Sequence, residues 1–350
     1  MSKVKIKDSL YLFKETEDIY QVGFTSIRKI RRIKLDTLSK DLLNYLIDKD
    51  LDLKNLQVSL KNHGYNLIDI DSALNTLNSL GIIEFFDKNK IDERNKYQLS
   101  FLNEISSSRK EAEDLQKRIE QSHIAIFGVG GIGSWIVNGL YQLGVKNLTI
   151  NDPDKIEESN LNRQLYFSSR DIGRYKVDVL KEKLLDCNID THKRYVSNKM
   201  DLEDIISNKD FIINCTDNPS IQVTTKIISE YAEKNNIAYS FAGGYNFHTG
   251  MLGSIFIPNK TVCFDCFLRF QDQNNPYKGL EVLKKPKGSG NLGPMAGTIA
   301  NLHVMDIFKY LTGKGSFNSN RYAEVDFLNL DINWMEFSSY PDCEKCKNID

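Results

Sequence analysis

The sequence predicts an α/β protein: a doubly wound, mainly parallel Rossmann-like domain with a small winged-helix-like module ahead of it. Three features predict this. The stretch AIFGVGGIGSWIVNGLYQLG, residues 125–144, runs from an apolar strand through a glycine cluster into a helical pattern. From residue 123 onward, apolar strands alternate with amphipathic helices, the rhythm of a parallel sheet covered on both faces. The first 88 residues instead read as a run of strands followed by helices. At 350 residues the chain exceeds one ordinary domain, so two folding units are expected. Their expected limits are 1–88 for the module, 89–122 for a connector and 123–350 for the α/β domain.

In the module, YLFKET, IYQVGFT and IRKIRRIKL read as short strands between polar turns. TLSKDLLNYLIDKD comes next as a helix, with Leu42, Leu43, Leu46 and Ile47 on one face and Thr37 or Ser39 as its cap. LQVSLKNHG and DIDSALNTLNSLG are two further helices, each ended by glycine, and IIEFF closes the module as a strand. The connector is charged, and its second half is expected to be helical. In the α/β domain the strands are HIAIFG, NLTINDPD, DFIINCTDN and IAYSFAGG, with WIVNGLYQLG, RYKVDVLKEKLLDCN and IQVTTKIISEYAEKN as helices between them. GMLGSIFIP and RYAEVDFLNLDINWMEF read as additions to the sheet. Between them come a polar loop, QDQNNPYKGLEVLKKPKGSGN, and the helix GTIANLHVMDIFKYLTG.

Charge is nearly balanced, with 46 basic and 47 acidic side chains, so nothing global calls for nucleic acid or an anionic membrane. The N-terminus, MSKVKIKDSLYLFKETED, has no apolar core of signal-peptide length, and no apolar run is long enough to span a bilayer. A cytoplasmic protein is expected. In that compartment the six cysteines read as metal ligands or reactive groups rather than as a disulfide framework.

The glycine cluster is where the chemistry begins. Glycine lets backbone approach a phosphate, and the free N–H groups and dipole of a helix N-terminus favour negative charge. Gly128, Gly130 and Gly133 have dinucleotide-fingerprint spacing, and Asp152 falls where an acid would hold a ribose. That much fits NAD as well as a nucleoside triphosphate. Downstream, however, come Asn160, Arg163, Gln164 and Lys176, and two cations near the same sheet edge suit a triphosphate better than a nicotinamide. Asp217, after the next strand, supplies a carboxylate of the kind that holds Mg²⁺ together with substrate phosphates.

In this order, GxGGxG, NDPD, NLNRQ, the lysine of GRYK and TDN resemble the adenylating domain of the ubiquitin-activating (E1-like, ThiF-type) superfamily, from about residue 123 to 346. The resemblance implies that Gly128, Gly130, Gly131 and Gly133 cradle ATP, or another nucleoside triphosphate. It places Asp152 on the ribose, Arg163 and Lys176 on the phosphates as catalytic groups, Asp217 on Mg²⁺, and Asn160 and Gln164 at the edge of the phosphate pocket. The reaction it implies is attack of a carboxylate on the α-phosphate, giving an acyl-adenylate and pyrophosphate.

Cys263 and Cys266 form CFDC, and Cys343 and Cys346 form CEKC. Two such pairs supply the four thiolates of a tetrahedral zinc site, here structural because no coordination position is left open. Cys215 reads as a packed core residue, whereas Cys187 could be buried or exposed. Members of the superfamily that form thioesters carry a cysteine in or near the loop at 270–292, and this loop has none. The enzyme is therefore expected to stop at the adenylate or at a product formed directly from it.

The strand–strand–strand–helix order of residues 1–88 resembles the peptide-clamp module of enzymes that modify ribosomally made peptides. Such modules add an extended leader peptide to a sheet edge. With the core, this resembles the microcin C type of peptide-adenylating enzyme, which implies a small ribosomal precursor peptide as substrate and a homodimer as the active form. Relatives of that type carry Arg-Tyr-x-Arg in the connector, whose second arginine reaches the partner's ATP. Here the residues are Lys96, Tyr97, Gln98 and Leu99, leaving Arg94, Lys96 or Arg109 to substitute. The alternatives are a ubiquitin-like or sulfur-carrier adenylyltransferase and, outside enzymes, an ATP-gated regulatory or DNA-binding protein. The basic run Arg28, Lys29, Arg31, Arg32 and Lys34 would serve the DNA-binding reading or an acidic leader, but Ile27, Ile30 and Ile33 favour an ordinary half-buried strand. His248 reads as structural, and the loop lysines Lys278, Lys284, Lys285 and Lys287 read as a flap over peptide and nucleotide or as a disordered stretch.

Overall fold

The computed structural model describes residues 2–24, 28–87, 93–197, 202–281, 283–284, 290–347 and 349. Ile27, Lys285, Lys287 and the expected junction at 88/89 lie outside the described residues. The chain divides into two compact units, residues 1–117 and 118–350.

In the first unit, β1 (Ser2–Ile6), β2 (Leu10–Lys14), β3 (Ile19–Phe24) and β4 (Lys29–Lys34) precede α1 (Thr37–Leu46), β5 (Leu51–Asp52), α2 (Leu53–Asn62), α3 (Leu67–Ser79) and β6 (Ile83–Asp87). α4 (Lys96–Glu104) comes next, and α5 (Arg109–Gln121) carries the chain into the second unit. The strands form two antiparallel sheets, β2-β3-β4 and β5-β1-β6. β1 is not apparent in the sequence, because Lys3 and Lys5 mask a short alternation in which Val4 is wholly buried. Its main partner, β6, lies at the other end of the module.

Leu42, Leu43 and Leu46 of α1 are buried as the periodicity predicts, against Leu56, Leu60, Ile70 and Leu74. Ile47 is instead 45% exposed, because the backbone leaves the helix at that residue. The cap is Asp36, not Thr37 or Ser39: its carboxylate accepts from the Ser39 N–H at 2.7 Å. β4 is an edge strand, and Ile30 on it is 64% exposed while Ile33 packs inward. Of the two isoleucines described there, the half-buried strand expected is realised at Ile33 and not at Ile30.

The second unit runs β7 (His123–Phe127), α6 (Gly131–Gln142), β8 (Asn147–Asn151), α7 (Lys176–Lys183), β9 (Asn188–His192), α8 (Glu203–Ile206), β10 (Phe211–Asn214), α9 (Ile221–Lys234) and β11 (Ala238–Phe241). It continues with β12 (Tyr245–Asn246), β13 (Thr249–Leu252), β14 (Ile255–Phe256), α10 (Phe264–Gln273), α11 (Gly293–Thr312), β15 (Arg321–Asp326) and β16 (Asp331–Glu336). The main sheet has the order β14-β11-β10-β7-β8-β9, parallel except for β14. This is the predicted doubly wound fold. Its central strands are apolar runs buried on both faces, as a sheet covered on both sides requires.

β9 is not apparent in the sequence because NIDTH is short and polar, which an edge strand tolerates. GMLGSIFIP does not make one strand. It splits at Gly253, whose missing side chain lets the backbone press on the Phe241 carbonyl, and β13 joins a second sheet, β12-β13-β15-β16. Behind the main sheet α11 packs on α6, with Gly139 against Val304 and Gly297 against the Trp135 ring.

Candidate functional site

A cleft of about 410 Å³ opens beyond the C-terminal ends of β7, β8, β9 and β10. This is the edge of an open α/β sheet at which loops and helix N-termini gather. Gly128 follows β7 with φ +83°, and a β-carbon there would lie 2.8 Å from the Cys215 backbone. The turn is thereby pressed against the segment after β10, and α6 begins at Gly131 with its first N–H groups free of helical partners. Gly128, Gly130 and Gly131 line the cleft. Gly133 lies under the turn, where a side chain would overlap the Gly128 carbonyl.

Asp152 comes directly after β8 and is almost wholly buried. One oxygen accepts from the Val129 N–H at 2.7 Å and the other from the Asp154 N–H at 2.8 Å, so the carboxylate ties the glycine turn to its own loop. Burial raises its pKa, and the nearby Lys176 ammonium, 3.8 Å away, opposes that rise. Lys176 is the first residue of α7 and pairs more closely with Asp154, at 2.8 Å. Asp154 lies within NDPD, where nothing in the sequence sets it apart from its neighbours.

NLNRQ winds into a tight turn. Asn160 Oδ1 accepts from the Glu157 N–H at 3.2 Å, so this side chain shapes the turn. Arg163 donates to the Ser159 carbonyl at 2.6 Å and to Asn162 Oδ1 at 3.0 Å, while its own carbonyl accepts from Trp135 Nε1 at 3.0 Å. Gln164 is 7% exposed, yet its Oε1 has no partner. An orphaned acceptor on a cleft wall marks a place where a ligand or water completes the bonding. Asp217 lines the same cleft and stands exposed after β10.

Asp152, Asn160, Arg163, Gln164, Lys176, Asp217 and the three cleft glycines thus share one cavity. Two contributors escape sequence reasoning. Tyr245 comes from the second sheet. Arg194, Tyr195 and Val196 lie beyond β9, and the Asn151 amide holds the Arg194 backbone by its N–H at 3.0 Å and its carbonyl at 2.9 Å. No local signal announces these residues, because their elements reach the cleft only through long-range pairing.

The two cysteine pairs also converge. Cys263 leads into α10 and Cys343 and Cys346 lie in the C-terminal turn, with Cys263 Sγ 3.6 Å from Cys343 Sγ and Cys266 Sγ 4.0 Å from Cys346 Sγ. All four sulfurs fall within 4.8 Å of one another. A zinc bound to four thiolates at ~2.3 Å would set them ~3.8 Å apart, so the donor set fits a structural zinc. The Cys263 and Tyr340 N–H groups donate to Cys346 Sγ at 3.3 Å and Cys266 Sγ at 3.5 Å.

Elsewhere, Cys215 is not the packed core residue expected: it follows β10, is only partly buried and lines the cleft, while burial of its thiol pushes the pKa far above its usual value. Cys187 is partly exposed and its thiol faces the Val145 carbonyl at 3.6 Å. His248 is exposed in the turn between β12 and β13, and Lys278 pairs with Asp272 at 2.5 Å. In the connector Leu99 is buried in α4, and Arg109 is buried against Glu113 at 3.3 Å. Among the described residues no helix is long and apolar enough to cross a membrane.

Comparison with known proteins places this architecture. The ThiF family model matches residues 103–348. The molybdopterin-synthase adenylyltransferase of Escherichia coli is 26% identical over 236 residues, covering 67% of this chain and 90% of that protein. The crystal structure of E. coli MccB with ATP superposes with a TM-score of 0.71 at 19% identity, over 98% of this chain and 99% of that one. Microcin C7 biosynthetic enzyme MccB in complex with N-formylated MccA gives 0.70 at 18% identity, over 98% and 99%. With the family model covering most of its length, the chain belongs to the ThiF family and is an adenylyltransferase.

Proposed function

We propose that the protein uses ATP to adenylate the C-terminal carboxyl or carboxamide of a small ribosomally made precursor peptide, acting as a homodimer in the cytoplasm. The observation that carries the substrate is the reach of the structural likeness. It covers 98% of the chain, including the N-terminal module, whereas the molybdopterin-synthase relative covers 67%. A free-standing carrier adenylyltransferase has no need of such a module.

β4 offers the docking edge. Among the described residues it has a neighbour in β3 alone, and its sequence KIRRIK is exposed at most positions. An extended leader adds there as a further strand, with its acidic side chains beside Lys29 and Lys34. Arg32 is held by Glu15 at 2.7 and 2.9 Å and Arg31 lies over the Phe24 ring at 5.4 Å, so the strand is not a continuous cationic stripe for DNA.

In the cleft, the turn Gly128–Gly131 and the α6 N-terminus receive the phosphates, and Gln164 Oε1 finds its missing partner on the bound nucleotide or its water. Asp152 faces the ribose. Lys176 exchanges Asp154 for phosphate oxygens, and Arg163 turns from the Ser159 carbonyl to the same charge. The peptide carboxylate oxygen attacks the α-phosphorus, the bond to the bridging oxygen breaks, and pyrophosphate leaves with the electron pair. Lys176 and Arg163 stabilise that departing charge. Asp217 would hold Mg²⁺, which supplies charge neutralisation on the phosphates. Cys263, Cys266, Cys343 and Cys346 would hold the structural zinc.

The test is mass spectrometry of the protein with Mg²⁺, all four nucleoside triphosphates and the peptide encoded by the nearest short reading frame. A peptide that gains the mass of one nucleoside monophosphate less one water, with release of pyrophosphate, is the expected result. Nucleotide-dependent pyrophosphate exchange with a Gly-Gly carrier protein, and none with the peptide, would instead establish the sulfur-carrier reading.

A further inference from the structure

A β-carbon on Gly131 would overlap the Tyr245 hydroxyl and would lie 3.5 Å from Arg163 Cδ. The phenol and the arginine side chain therefore converge on one face of a glycine in the first turn of α6. The three residues come from separate places. Gly131 lies just beyond β7, Arg163 beyond β8, and Tyr245 belongs to the antiparallel sheet. One side of Arg163 is anchored by its own loop, through the Ser159 carbonyl and Asn162. Tyr245 packs on the side facing the glycine turn. Burial raises its pKa above the ordinary tyrosine value while the neighbouring Arg163 charge pulls it back, so the phenol is a neutral hydroxyl at physiological pH, able to donate and accept.

We infer that Tyr245 is a positioning residue whose hydroxyl props Arg163 over the N-terminus of α6, and that this contact is why position 131 carries no side chain. The inference rests on the ATP reading above and deepens it, since the propped arginine side chain lines the cleft that the triphosphate would enter. It assigns to the second sheet a share in nucleotide binding that the glycine turn and NLNRQ do not supply.

A double-mutant cycle on ATP affinity tests this, by calorimetric titration of the full chain with ATP and Mg²⁺ and with no peptide. Tyr245→Phe is expected to weaken ATP binding roughly tenfold, the scale of one hydrogen bond to a charged group. Tyr245→Phe with Arg163→Ala is expected to bind no more weakly than Arg163→Ala alone, because the hydroxyl acts through the arginine. A second arm needs no ligand. Gly131→Ala should lower the melting temperature of the wild-type chain but be tolerated in the Tyr245→Phe background, where the nearest atoms to the new methyl are the ring Cζ at 3.4 Å and Arg163 Cδ at 3.5 Å. Losses that multiply, unchanged affinity in Tyr245→Phe, tighter binding in it, or equal melting losses in both backgrounds overturn the inference and leave ATP binding standing. A wild-type chain that binds no ATP overturns both.

Discussion

The glycine-turn cleft and the four-cysteine cluster belong to the same unit, yet they hold their polar atoms in opposite ways. In the cleft each cation has a partner it can give up: Lys176 has Asp154, 57% exposed, and Arg163 has a backbone carbonyl at a solvated turn. Gln164 Oε1 has none at all. In the cluster Cys266 and Cys346 are buried among Phe264, Phe267 and Phe241, and their sulfurs meet each other and backbone N–H groups. A site made for exchange can thus be told from one made for holding. Exchange needs weak partners at a wet edge, so that ligand binding does not strand a charge. Holding needs a dry surround and a donor set complete in itself.

Three measurements bear on that contrast. The largest effect is expected at the cluster. Cys346→Ser should release the metal and cost roughly 4 kcal/mol or more of stability, the range of lost structural metal sites. Urea unfolding and metal analysis read this, and ATP affinity of the molecules that remain folded should change by less than about twofold. Next comes the cleft. Asp217→Ala should lower pyrophosphate release by ~10²–10³, about 3–4 kcal/mol, with the melting temperature unmoved because the side chain is exposed. Retained turnover would remove Asp217 from the metal site.

The smallest effect concerns a polar group that neither site uses. His303 on α11 is wholly buried, bonds Ser240 through Nε2 at 2.8 Å and leaves Nδ1 unpartnered. Burial lowers its pKa from 6.5 to about 4. Folded, it resists protonation that the unfolded chain accepts, so its contribution is complete above pH 6.5 and declines as pH falls. The expected slope is ~1.4 kcal/mol per pH unit down to the folded value. Unfolding at pH 7 and pH 5 should show it, and His303→Gln should flatten the difference between the two.

Much of the second unit can be read from the chain because its informative residues are close together. AIFGVGGIG is a strand, a turn and a helix start in nine residues, and Asp152, Arg163, Gln164 and Lys176 fall within the next stretch of loop and helix. Short polar strands are harder. β1, in the middle of β5-β1-β6, and β9, at the edge of the main sheet, carry few apolar residues, and each is a strand because a distant partner completes its ladder. α10 is hidden in the sequence, since FDCFLRFQDQ draws attention as a cysteine motif before it does as a helix. Of the cleft, Tyr245 and the Arg194–Val196 segment are invisible for the same long-range reason.

Local chemistry alone dictates the parallel α/β rhythm, the glycine turn that opens α6, and the pairing of cysteines in CFDC and CEKC. These depend on backbone dihedrals, hydrophobic period and ligand spacing, all of which act over a few residues. Three outcomes required the folded chain: Asp152 has both oxygens tied by backbone amides, Tyr245 covers Gly131, and four sulfurs separated by some 80 residues of chain meet. They depend on which surfaces pack together, and packing is settled by shape and burial summed over the whole unit.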